Sequence, residues 1–272
     1  MKKSMQRVLS AILLMALAMS VAGCAGKTVY DELGEEGFTV RVRYDAGGAV
    51  VNETQNVTIV EVFNEEDVVT IDGKTGVRLL APDDAARKEG VFKLAKTDGV
   101  RNYVQVGWYT ERTPRVDEGG RALDAYGEPV EVSGREQDYV YSGKWDFNKN
   151  VVEPSMLTDG EITLYAAWIP FFNYEFYSVN ETSGAFEKIG EKQKLTLQVP
   201  KLNEADGTYR MNDFPKMDGK VFSAAYFDEA LTQPLTGNVD GRTMFVDYEK
   251  GIATASNVRI YVVWTDPVAD AD

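Results

Sequence analysis

The chain has 272 residues, 44% of them apolar and 11% aromatic, with 26% charged and a formal net charge of −14. That is globular material long enough for one or two domains, and its acidic balance argues against DNA or RNA as a partner. With no histidine and one cysteine, Ser-His-Asp and Cys-His nucleophile systems, imidazole zinc sites, CxxC sites and intramolecular disulfides are all excluded.

In chain order, Lys2, Lys3 and Arg7 form a positive start, and Val8 to Val21 is an apolar run broken only by Ser10 and Ser20. The run suits a secretory signal and is shorter than the ~20 residues of a spanning helix. Val21-Ala22-Gly23-Cys24 follows, and it resembles the lipobox of bacterial lipoproteins. The resemblance implies cleavage before Cys24 and diacylation of that residue. Two acyl chains anchor stably where one does not. Cleavage removes three bases and no acids, so the body becomes more acidic and should stand off anionic headgroups.

Phe38 to Tyr44 alternates strictly, with Phe38, Val40, Val42 and Tyr44 on one face and Thr39, Arg41 and Arg43 on the other. This predicts a half-buried strand. Asp45-Ala46-Gly47-Gly48 predicts a turn, and Val57 to Phe63 a second strand. Pro82 to Gly90 has proline first, acids early, bases late and glycine at the end, which predicts a short helix. Val104 to Glu111 is an aromatic strand, and Ile162, Leu164, Ala166 and Trp168 share one face of another.

The same order of signals returns further on. Tyr174 to Tyr177 leads into a Ser/Asn/Gly turn, and Leu195, Leu197 and Val199 alternate with polar residues. Pro200 to Gly207 is a weaker helix candidate, Val221 to Asp228 an aromatic strand, and Val258, Ile260, Val262 and Trp264 close the copy. Two diverged copies of one unit therefore account for the chain. More residues separate Tyr109 from Trp168 than Tyr226 from Trp264, and the surplus lies in Arg112 to Val140. That stretch reads as a long polar loop or an extra hairpin.

Gly107-Trp108-Tyr109-Thr110, Lys144-Trp145-Asp146-Phe147 and Ile162-Thr163-Leu164-Tyr165-Ala166-Ala167-Trp168 resemble the internalin-B B-repeat family, also called the Listeria–Bacteroides repeat. The likeness covers Phe38 to Trp168 in good blocks. Phe171 to Trp264 follows it in outline, with Ala225 where the family has tryptophan and no Trp-Asp-Phe block. It implies small β-grasp-like units, each a twisted sheet with one short helix. Such repeats serve in bacterial cell-surface proteins as spacers, adhesive modules and partner-binding domains, without catalytic residues. Trp108, Trp168 and Trp264 read as core.

Other constellations weigh less. Asp146 to Asn150 begins like a calcium loop, but Val151 stands where the EF-hand has glycine and Leu157 where it has glutamate, so a turn is expected. Asp and Glu number 43 and offer many carboxylate pairs for glycoside hydrolysis. Nearly all sit in polar stretches such as Asn64 to Asp67, where nothing would desolvate them.

The sequence thus predicts a mainly β, α+β protein of a bacterial cell envelope, lipid-anchored on the extracytoplasmic face. Residues 1–23 form the signal peptide, 24–36 a tether, 37–169 a first module with insertion 112–140, 170–265 a second module and 266–272 an acidic tail. The expected role is non-enzymatic: the modules bind an unknown protein or glycan, or act as an adhesive spacer. Cys24 is the lipidation site and membrane link. Arg112, Arg115, Arg121 and Arg135, spread among acids on the insertion, are the candidate partner-binding residues. No cofactor, metal or nucleic acid is expected. The alternatives are a carbohydrate-binding or carbohydrate-active β protein, or a solute-binding lipoprotein, which would need two large α/β lobes.

Overall fold

A computed structural model describes residues 40–53, 59–63, 67–87, 90–196, 215–236 and 240–267. Cys24, the apolar run before it and the helix candidate Pro200 to Gly207 lie outside the described residues. Among the described residues strands dominate and the protein is mainly β. The principal sheet has β3 (Ile59–Phe63), β1 (Val40–Asp45), β9 (Glu161–Pro170), β7 (Tyr103–Pro114) and β8 (Tyr139–Lys144) side by side in that order. Alternation explains β1: Val40, Val42 and Tyr44 are fully buried while Arg41 and Arg43 face solvent. β1 pairs antiparallel with β3 and parallel with β9, placing Arg41 opposite Glu161 and Tyr44 opposite Leu164. The expected turn follows β1: Gly47 and Gly48 adopt positive φ, and the Gly47 amide donates to the Asp45 carboxylate at 2.9 Å. Trp108 meets the edge of Tyr44 with centroids 5.5 Å apart.

A second sheet has the order β11 (Phe186–Thr196), β10 (Phe172–Val179), β15 (Asn257–Thr265), β12 (Val221–Tyr226). β10 pairs antiparallel with β11 and parallel with β15, and β12 runs antiparallel to β15. In both sheets, then, the opening strand lies between its antiparallel hairpin mate and the closing strand, which it meets in parallel. Val258, Ile260 and Val262 are buried, as are Ile162, Leu164, Ala166 and Trp168 at the matching positions. Trp264 is half-buried against Phe222. Phe172, Tyr174 and Phe245 add an aromatic cluster with centroids 5.7–6.3 Å apart. Short ladders pair β2 (Val50–Val51) with β6 (Leu94–Ala95), β4 (Val68–Ile71) with β5 (Lys74–Val77), and β13 (Val246–Asp247) with β14 (Ile252–Ala253).

Sheet membership changes at Phe171, between β9 and β10. The chain also forms two compact units. One holds the described residues up to Ala95 with Trp108–Glu111 and Gly143–Ala166; the other holds Lys96–Gly107, Arg112–Ser142 and the described residues from Ala167 on. Strands β7, β8 and β9 contribute residues to both.

The helix expected over Pro82 to Gly90 is not seen in the described residues 82–87 and 90. The described part is a run of tight turns, with Asp84, Arg87 and Gly90 amides each donating to the carbonyl three residues back. Two local interactions explain the difference. The Asp84 carboxylate takes the Ala86 amide at 2.8 Å, competing with a helical ladder. Arg87 is only 7% exposed, donates to Glu61 and lies over the Phe92 ring at 4.8 Å, so the chain bends to bury it. Among the described residues the short α-helices are α1 (Val130–Ser133), within 112–140, and α2 (Gly241–Phe245), capped by Asp240.

Candidate functional site

The first candidate site lies within the first compact unit, on the solvent face of β1 and β9. Inward residues of these strands alternate with Arg41, Arg43, Glu161, Thr163 and Tyr165, which face out. A groove of about 750 Å³ opens over them, with Thr110 and Glu111 of β7 and the segment Ser155 to Asp159 among its walls. Hydrogen-bonded turns form its walls. Pro154–Met156 is a 3-10 turn closed by Met156 and Leu157 amides on the Glu153 and Pro154 carbonyls. Asp159 and Gly160 both have positive φ, and Thr158 and Glu161 exchange backbone hydrogen bonds of 2.9 and 3.0 Å across them. Asp-Gly is the pair that tolerates such a two-residue turn. The Arg41 amide then donates to the Gly160 carbonyl at 3.0 Å, fixing β1 against this turn. Arg43 Nε donates to Glu161 at 2.8 Å. Neither the groove nor Arg41, Asp159 and Tyr165 as its members was expected from sequence; the Asp159-Gly160 dipeptide is the one local signal that marks the turn.

The second candidate is the insertion, which belongs to the second compact unit through Ser142. Two aspartates fold it. Asp117 accepts the Gly119 and Arg121 amides, each at 2.9 Å, and these hydrogen bonds hold its carboxyl below the usual range. Asp124, 1% exposed, accepts the Tyr126 and Glu128 amides at 2.9 Å and Arg135 Nη1 at 3.1 Å. Burial opposes its charge, but these donors outweigh burial and its pKa lies below the usual value. The bridges Val116 to Ala122 and Leu123 to Pro129 complete an ordered lobe.

The four candidate arginines are spread over this lobe rather than gathered. Arg112 lies over the Tyr139 ring at 4.6 Å. Arg115, its side chain 15% exposed, pairs with Asp138 at 3.2 Å and reaches the Ala253 carbonyl at 3.4 Å. Burial raises the Asp138 pKa against the pull of the Tyr139 amide and Arg115. Arg121 pairs with Asp117 while its side chain stays 59% exposed. Arg135 stacks over Tyr126 at 4.3 Å, and Arg101 lies over the same ring at 4.5 Å. The Tyr126 hydroxyl donates to Asp98, which also receives Tyr103 Oη at 3.2 Å. Burial and the Asp98 charge push the Tyr126 hydroxyl up to about 12, so it remains a donor at neutral pH.

Asp146 to Asn150 forms a turn: the Asn148 amide meets the Asp146 carboxylate at 2.9 Å, and the Asn150 amide meets the Asp146 carbonyl at 2.7 Å. Among the described residues no three Asp, Glu, Cys or His side chains gather as metal ligands would, and no helix is long and apolar enough to cross a membrane. The chain matches no protein-family model, no curated protein and no solved structure. What defines it is therefore its own geometry: a mainly β protein with a repeated strand order, a sheet-face groove and a hydrogen-bonded polar lobe at 112–140.

Proposed function

We propose that this chain is a non-enzymatic, cell-surface lipoprotein of a bacterial envelope, tethered through lipid on Cys24, whose two sheets are B-repeat-like, β-grasp-like modules that bind a protein or glycan partner. The observation that carries this reading is the repeated strand order. β3-β1-β9-β7 and β11-β10-β15-β12 place hairpin mate, opening strand, closing strand and aromatic strand alike, with the opening and closing strands parallel in both. Duplication of one module produces this pattern, and modules with aromatic cores leave recognition to their surfaces.

The partner surface is assigned to the insertion. Asp117 and Asp124 preorganise it, which lowers the ordering cost of binding. Arg121 and Arg135, with side chains 59% and 40% exposed, are the outward members of the proposed set, Arg112 flanks them on Tyr139, and Arg115 anchors the lobe. The surface is two-signed and polar, as suits a wet contact with another macromolecule.

The test is capture of host-matrix proteins, glycans and cell-wall fragments on the immobilised chain from residue 25 onward. Saturable binding of one fraction, weakened at least tenfold by Arg121→Glu with an unchanged thermal transition, is the expected result. Turnover of a peptide or glycan that disappears on changing one carboxylate would contradict the non-enzymatic reading.

A further inference from the structure

We infer that the groove on the outer face of β1 and β9 is a binding site for a neutral oligosaccharide, distinct from the partner surface on the insertion. The argument begins with what the groove offers a ligand. It lies over the middle of a sheet, where β1 has strands on both sides and so does β9. Their backbone amides and carbonyls serve the ladders, so a peptide could not add itself as a further strand here. Recognition must come from side chains.

Those side chains suit hydroxylated rings. Arg41 supplies a guanidinium donor fork, Glu111 and Asp159 supply carboxylate acceptors, and Thr163 supplies a hydroxyl that both donates and accepts. Vicinal hydroxyls match such alternating donors and acceptors. Tyr165, half-buried on β9, and Met156, 38% exposed on the rim, give the C–H face of a sugar ring an apolar surface to lie on. A volume of about 750 Å³ falls inside the roughly 300–1,000 Å³ range of small-ligand sites.

Charge then selects among saccharides. Glu161 pairs with Arg43 at 2.8 Å, and the groove lining holds three carboxylates, Glu111, Asp159 and Glu161, to one guanidinium, Arg41. Acid exceeds base in the groove, and the whole chain carries −14, so uronic, sialylated or sulfated glycans are repelled. The hydrogen-bonded turns around Asp159 and Met156 hold the walls before any ligand arrives, so little ordering cost falls on binding.

The test applies the chain from residue 25 onward to an array of neutral, amino-bearing and acidic oligosaccharides, with affinities for bound members measured calorimetrically. The variants are Arg41→Gln and Tyr165→Ala, with Glu249→Gln as a remote control and thermal transitions recorded for each. The expected result is binding of neutral members, weakened at least tenfold in both groove variants and unchanged in the control. Should Tyr165→Ala unfold, Thr163→Val replaces it, with the same expectation. No binding on the array, stronger binding of acidic members, or binding unaffected by the groove variants would each overturn the inference. Capture through the insertion is scored with Arg121→Glu, so failure of the groove leaves the partner reading standing, and the reverse.

Discussion

Arg101 and Ser256, 155 positions apart in the chain, are joined by a hydrogen bond from the guanidinium Nη1 to the carbonyl at 3.0 Å. The same side chain reaches the Phe171 carbonyl at 3.2 Å and Asn257 Oδ1 at 2.8 Å, and lies over Tyr126. The Ser256 hydroxyl in turn donates to the Tyr126 carbonyl at 3.2 Å. One side chain thus meets acceptors at the start of β10 and β15 and braces the Tyr126 segment inside the same compact unit.

Arg101→Ala should therefore lower stability by about 1.5–3 kcal/mol, since hydrogen bonds from a charged donor contribute about that much and the buried Ser256 is left without this donor on its carbonyl. Thermal denaturation reads this as a fall in Tm. Lys188→Ala, which removes a surface ion pair with Glu175, should change it by less than about 1 kcal/mol. Equal effects would remove Arg101 from its bracing role.

The buried Asp124 carboxylate links the insertion to pH. Its folded pKa lies below its ordinary value because the Glu128 and Tyr126 amides, Arg135 and Ser133 outweigh burial. A carboxylate with a depressed folded pKa contributes stability that is present above its unfolded value, near 4, and is lost as pH falls through the folded value. Asp124→Asn should cost about 2–4 kcal/mol at pH 7, and the gap between variant and wild type should narrow below about pH 4. Chemical denaturation at both pH values measures it; a gap independent of pH would contradict the assignment.

Arg87 and Glu61 form the matching buried pair of the first compact unit, with side chains 2% and 15% exposed. Breaking such a pair leaves one charge uncompensated, so Arg87→Met should cost about 3–5 kcal/mol. The double variant Arg87→Met, Glu61→Gln should lose less than the sum of the single changes. A double-mutant cycle by urea denaturation decides, and strict additivity would count against the pair.

Gly76 on β5 tests the packing between β5 and the chain near Val152. A Cβ at this position would collide with the Val152 carbonyl oxygen, which is backbone and cannot rotate away. Gly76→Ala should destabilise by more than about 2 kcal/mol, whereas Gly184→Ala, with open space but φ of +69°, should cost nearer 1 kcal/mol.

These residues also mark what the sequence makes legible. Val40, Val42 and Tyr44 alternate with arginines, so the strand and its buried face follow from period two alone. Asp45-Ala46-Gly47-Gly48 announces its turn in the same local way. Pro82 to Gly90 misleads because its end signals are helical while the deciding interaction, Arg87 with Glu61, is 26 positions distant. The groove is hidden for a similar reason: Arg43 meets Glu161 across 118 positions, through a parallel register that no local pattern encodes. The polarity of 112–140 is legible, but not its folding on Asp117 and Asp124, because Asx hydrogen bonds look like loop composition.

The central claim, a surface binding protein held by lipid on Cys24, is tested most directly by growing cells that express the full chain with an alkyne fatty acid and comparing wild type with Cys24→Ala. The account predicts that wild type carries the label, partitions into detergent and is reached by a membrane-impermeant biotin reagent from outside the cell. Cys24→Ala should lose the label and accumulate in unprocessed form. Equal labelling of the two proteins, or a labelled wild type inaccessible from the cell exterior, would contradict it.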